Sequence, residues 1–173
     1  MKTTSIVMAL GITAGVFAAP AMAAGNLVQF DGGIGVIPVS TGVAIAGLTT
    51  STTVNRNFVR NVPPPGQIWV IKDLKAEVKE DGRIRVQGKG LLLGGGNAIG
   101  GNANASVFAT LICESALPFT ERSTALARVP LDPDGDFRID DVLNPVPAGC
   151  DSPVLLIRNA ANKAWFAAGI PRH

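Results

Sequence analysis

The sequence contains no tyrosine, and its single histidine, His173, is the last residue. A Ser-His-Asp triad or a histidine metal centre would have to use that residue, and a fraying chain end does not hold an imidazole to hydrogen-bond precision. Cysteine is equally scarce. Cys113 and Cys150 are the only two, and their wide spacing lacks the Cys-x-x-Cys pattern of a redox-active dithiol. Charged residues make up only 16% of the chain and form no basic stripe, so neither nucleic acid nor an anionic membrane is an expected partner. No segment shows sustained helical periodicity. Among carboxylates, Glu77, Glu114, Glu121 and Asp140 are the remaining candidates for paired-acid hydrolysis. Nothing around them marks a buried acid, so the chain is expected to be non-catalytic.

What is present begins with a basic start, an apolar run from Ile6 to Phe17, Pro20 and an Ala21-Met22-Ala23 end. This is the pattern of a secretory signal peptide over residues 1–23, with an apolar run too short to span a bilayer. One domain over residues 24–173 is then expected, secreted or periplasmic, with no transmembrane segment after cleavage. Of the 15 basic residues only Lys2 falls in the leader, leaving 14 against 13 acidic ones. In an oxidising compartment Cys113 and Cys150 are expected to pair as a structural disulfide.

Hydrophobic residues form 47% of the chain beside 20 glycines and 12 prolines, a mixture suited to short strands and tight turns. From Asn26 to Thr53 the only charge is Asp31, and two or three strands are expected, separated at Gly32-Gly33 and Thr41-Gly42. The uncharged run Gly42 to Leu48 would be hazardous as an exposed edge, so it is expected to be covered or used in assembly. Asn55 to Arg60 reads as a further strand. Pro63-Pro64-Pro65 reads as a stiff connection barred from a central ladder.

Parity fixes the next hairpin. Leu74, Ala76 and Val78 alternate with Lys75, Glu77 and Lys79, and Ile84 and Val86 alternate with Arg83, Arg85 and Gln87. A three-residue loop, Glu80-Asp81-Gly82, sets Val78 opposite Ile84, Ala76 opposite Val86 and Glu77 opposite Arg85, and it needs glycine third. The same rule applied to Pro133-Asp134-Gly135 sets Leu131 opposite Phe137, Val129 opposite Ile139 and Arg128 opposite Asp140.

Gly88 to Asn104, rich in glycine, lacks the ending of a phosphate loop and reads as a surface loop. Asn104-Ala105-Ser106 fits a glycosylation sequon. Ala105 to Cys113 alternates again, and a turn at Asn159 to Asn162 is expected to fold Val154 to Arg158 against Lys163 to Ile170. About eight or nine strands with one disulfide predict an all-β fold, an antiparallel β-sandwich of Ig-like, prealbumin-like or jelly-roll type.

Asp132, Asp134, Asp136 and Asp140 occupy positions 1, 3, 5 and 9 of a stretch that resembles the calcium loops of EF-hand-like proteins. The resemblance implies a Ca²⁺ site, but Phe137 stands where the loop's glycine belongs, and Leu143 stands in place of its closing glutamate. Trp69 and Trp165 are expected in the core. Trp165 and Phe166, adjacent on one strand, should point to opposite faces, with at least one at the surface. The order of leader, strands and single bridge also resembles chaperone-assembled pilus subunits in outline, apart from the late cysteines and missing tyrosine. The expected function is a structural or interaction module with a protein or glycan partner outside the cytoplasm. The alternative is a calcium-dependent, carbohydrate-binding domain.

Overall fold

The structure, a computed structural model, describes residues 24–41, 54–125 and 129–172. Residues 1–23, where the sequence places a signal peptide, the run Gly42 to Leu48, Arg128 and His173 lie outside the described residues. Thirteen strands and no helix are found among them: β1 (Asn26–Gly35), β2 (Val39–Thr41), β3 (Val54–Arg56), β4 (Trp69–Val70), β5 (Asp73–Lys79), β6 (Arg83–Lys89), β7 (Leu92–Leu93), β8 (Ser106–Ile112), β9 (Arg122–Ser123), β10 (Val129–Pro130), β11 (Phe137–Val142), β12 (Val154–Asn159) and β13 (Trp165–Pro171). Nine of these form one antiparallel sheet in the order β10-β8-β12-β13-β1-β5-β6-β11, with β9 also on β8.

The β5–β6 hairpin has the register that parity demands: Val78 lies opposite Ile84, Ala76 opposite Val86 and Glu77 opposite Arg85. Its turn closes through a 3.0 Å bond from the Gly82 N–H to the Lys79 carbonyl, with Gly82 at a φ of 83° that favours glycine. The β12–β13 hairpin forms around the expected turn, Leu156 facing Ala168 and Ile157 facing Ala167.

The Asp132 to Asp136 turn also forms, but the hairpin expected beyond it does not. Gly135 N–H donates to Asp132 O at 2.8 Å and Asp132 N–H to Asp136 O at 2.9 Å. From there the strands part: Val129 pairs with Val107 on β8, and Ile139 pairs with Val86 on β6. Each strand thereby covers one edge, β10 that of β8 and β11 that of β6, and an unpaired edge is costly. Arg85 takes the place opposite Asp140 that parity had given to Arg128.

Gly32-Gly33 is a bulge rather than a break. β1 runs on to Gly35, with Gly32 at a φ of 97°, and its register on β13 slips between Phe30 and Gly33. Residues 26–31 pair with β5, and residues 30–35 pair with β13. A bulge bends its strand, so β1 forms a corner between one half of the sheet (β5, β6, β11) and the other (β8, β12, β13). The two halves share a single core, from Leu74, Val78, Ile84 and Ile139 on one side to Leu111, Leu155, Ile157 and Phe166 on the other. The sheet nearly closes. β10 and β11, last in order at its two ends, are joined by the Asp132 turn, and Ser123 and Asn144 exchange backbone bonds of 3.1 and 2.9 Å.

The two halves differ on their outer sides. β5 and β6 alternate buried residues with half-buried or exposed ones, whereas β8 is buried at every position from Val107 to Ile112 and β12 from Leu155 to Arg158. Residues 57–69 cover this second half. Val62 is fully buried, the Pro63 carbonyl accepts from Trp165 N–H at 3.0 Å, and Trp69 stacks on Phe166 with ring centroids 3.9 Å apart. Trp165 and Phe166 are therefore both buried, against the expectation that one would surface. Pro64 and Pro65 are buried too. Within Gly88 to Asn104, expected as a surface loop, Leu91 is fully buried and β7 pairs with β4, which anchors the glycine turns that follow.

Cys113 and Cys150 form a disulfide across 37 residues, with Cα atoms 4.4 Å apart. It ties the end of β8 to the loop entering β12. Arg60 reinforces the joint, donating to the Ile112 carbonyl at 3.1 Å and to the Ser152 carbonyl and hydroxyl, each at 2.6 Å.

Candidate functional site

Four neighbouring strands keep one face free of cover, and strict alternation fills it with polar side chains. Antiparallel partners lie directly opposite, so the register sets them in rows. One row runs Gln29, Glu77, Arg85, Asp140 and the next runs Asp31, Lys75, Gln87, Arg138. Arg172, whose backbone N–H donates to the Gln29 carbonyl at 2.9 Å, extends this surface beyond β13. An open groove of about 410 Å³ follows the rows. Lys75, Arg85, Arg138 and Arg172 supply its positive charge against Asp31 and Glu77.

The acids of this face are engaged. Asp31 lies 3.7 Å from Lys75, Glu77 is 2.6 Å from Lys79, and Asp140 is 3.1 Å from Arg85. The hydrogen bond from Lys79 is the main reason the Glu77 carboxyl lies below its ordinary range. Arg138 and Arg172 have no carboxylate within ion-pair distance among the described residues.

The four aspartates of the calcium-like stretch are not brought together. Asp134 accepts from the Asp136 N–H at 3.3 Å, Asp136 accepts from the Gly90 N–H at 2.9 Å, and Asp140 binds Arg85. β11 is extended, so Asp136 and Asp140 are separated by about 13 Å at 3.3 Å per residue, too far to share one cation. Among the described residues no group of three or more His, Cys, Asp or Glu side chains is arranged to hold a metal ion.

The carboxylates considered for hydrolysis are each held by a cation. Glu121 bonds Arg158 at 2.6 Å. Arg158 is buried and lies over the Phe108 ring at 5.2 Å. Glu114 bonds Arg122 at 2.8 Å and also accepts from the Thr120 and Cys113 N–H groups. These bonds, Arg122 first, pull its carboxyl down to about 2, the opposite of what a general acid needs.

Arg138 and Arg172 are the site residues that sequence reasoning missed. Alternation with Phe137 and Ile139 already placed Arg138 on a polar face. Nothing local revealed that β11 would lie beside β6 and bring that face into line with Lys75 and Gln87. Fold and site together define a class of all-β protein: an antiparallel, nearly closed sheet with one open polar face, locked by a disulfide that suggests an oxidising, extracytoplasmic environment. The chain matches no family model, no curated protein and no solved structure.

Proposed function

We propose that the protein is an exported, non-catalytic interaction module that binds its partner through the open face of β1, β5, β6 and β11. The observation that carries this reading is the asymmetry of the sheet. β8 and β12 are buried on both faces, while the other half leaves a row-ordered polar groove in which cations outnumber acids. A surface of one dominant sign steers and orients partners of the other. The disulfide and the leader motif support export, and the pairing of Glu77, Glu114, Glu121 and Asp140 with cations supports a binding role over hydrolysis.

Charge reversal on the open face tests the reading. The double variant Lys75→Glu, Arg138→Glu changes two exposed side chains and is expected to fold with the wild-type melting midpoint. After fractionation of the producing cells it should shift to the freely soluble extracytoplasmic fraction, while the wild-type chain stays with its partner. Identical distributions of two equally stable proteins would refute a binding role for this face.

A further inference from the structure

We infer that the open face binds an acidic polysaccharide, with uronate carboxylates seated on Arg138 and Arg172; this rests on the interaction-module reading above. The ion pairs of the groove leave those two guanidinium groups without an acidic partner among the described residues. A guanidinium offers a planar fork of donors that matches a carboxylate in two parallel hydrogen bonds. Gln87 stands between Arg138 and Lys75 in one row, and Gln29 lies beside Arg172. Their amides both donate and accept, as sugar hydroxyls require. Neighbouring strands are spaced by about 4.8 Å, so Lys75, Gln87 and Arg138 follow one another along their row at a spacing close to the repeat of a linear sugar chain. A polymer lying along that row can set one carboxylate on Arg138 and another on Lys75, two strands away.

Other anionic partners fit less well. An acidic peptide would dock by adding a strand or by burying apolar anchors. β1, β5 and β6 are hydrogen-bonded on both sides, so strand addition is confined to the outer edge of β11, at the end of the rows rather than along them, and the apolar residues under the groove, Phe30, Ala76 and Val86, are buried. Single-stranded nucleic acid needs exposed aromatic rings on which bases stack, and the groove lining presents none.

The test is calorimetric titration of the mature chain, residues 24–173, with polygalacturonate oligomers at low and high salt. Neutral galactan and poly-glutamate serve as comparisons. The expected result is binding of polygalacturonate that weakens with salt and falls at least tenfold in the double variant Arg138→Gln, Arg172→Gln, whose surface positions leave the melting midpoint unchanged. Equal binding by that variant, or equal binding of neutral galactan, would overturn the proposal. Poly-glutamate binding as tightly as polygalacturonate would also overturn it, making any acidic polymer the ligand. If polygalacturonate does not bind while the charge-reversed protein still loses its place in the cell, the polysaccharide assignment fails and the interaction module stands. If neither effect appears, both fail.

Discussion

Both carboxylate oxygens of Glu114 are committed, one to Arg122 at 2.8 Å and the other to the backbone N–H groups of Cys113 and Thr120. Its folded pKa of about 2 lies below the ordinary value of 4.5. A depressed carboxylate stabilises the fold above its unfolded pKa, and that contribution disappears as pH falls through the folded value. Between about pH 5 and pH 2 the protein should therefore lose stability through this residue. At pH 7 Glu114→Gln should cost about 1.5 kcal/mol in urea unfolding, the scale of a hydrogen bond to a charged group, and the gap from wild type should close near pH 2. A gap independent of pH would mean that the carboxylate's charge does not matter. Sequence alone named Glu114 only as one acid among four. Its partner Arg122 is eight residues away across a non-repetitive segment, where no periodicity brings two side chains together.

The two Asp-Gly turns share one chemistry and lead to different elements. Gly82 and Gly135 have nearly equal φ values, 83° and 82°, yet only the first turn is followed by a paired hairpin. Side-chain parity reads a turn and the residues flanking it, because both depend on neighbours in sequence. It is silent on which edge a strand joins, because Phe137 to Val142 presents the same inward face to β6 as to β10. The β5–β6 and β12–β13 registers were legible for that reason, and the split at Asp132 was not. The same split accounts for the calcium-like stretch, since a strand from Phe137 carries Asp140 away to Arg85. Melting midpoints in millimolar Ca²⁺ and in chelator should accordingly coincide; a rise with Ca²⁺ would show an ion bound to the folded form. The disulfide binds elements rather than residues. It closes a 37-residue span, and replacing Cys113 and Cys150 together by alanine should lower unfolding free energy by about 4 kcal/mol on the loop-entropy account. A loss below about 1 kcal/mol would mean that Arg60 and the β8–β12 ladder already hold the joint.

Over the whole molecule, one bulged strand folds a single sheet into two halves of different character. The half built on β8 and β12 is buried on both sides, so its residues are explained by packing. The half built on β5, β6 and β11 spends its outer positions on ordered rows of charge that packing does not require. Composition hinted at neither, because a nearly neutral chain can still gather its cations on one face. Lysine acetylation in intact cells, compared with the purified protein, tests this division directly. Lys75 lines the groove and Lys79, bonded to Glu77, stands beside it on the same face, whereas the exposed Lys72 and Lys163 serve as controls away from it. The account predicts that Lys75 and Lys79 are protected in the cell while Lys72 and Lys163 are labelled as in the purified protein. Equal labelling of all four in both settings would contradict it.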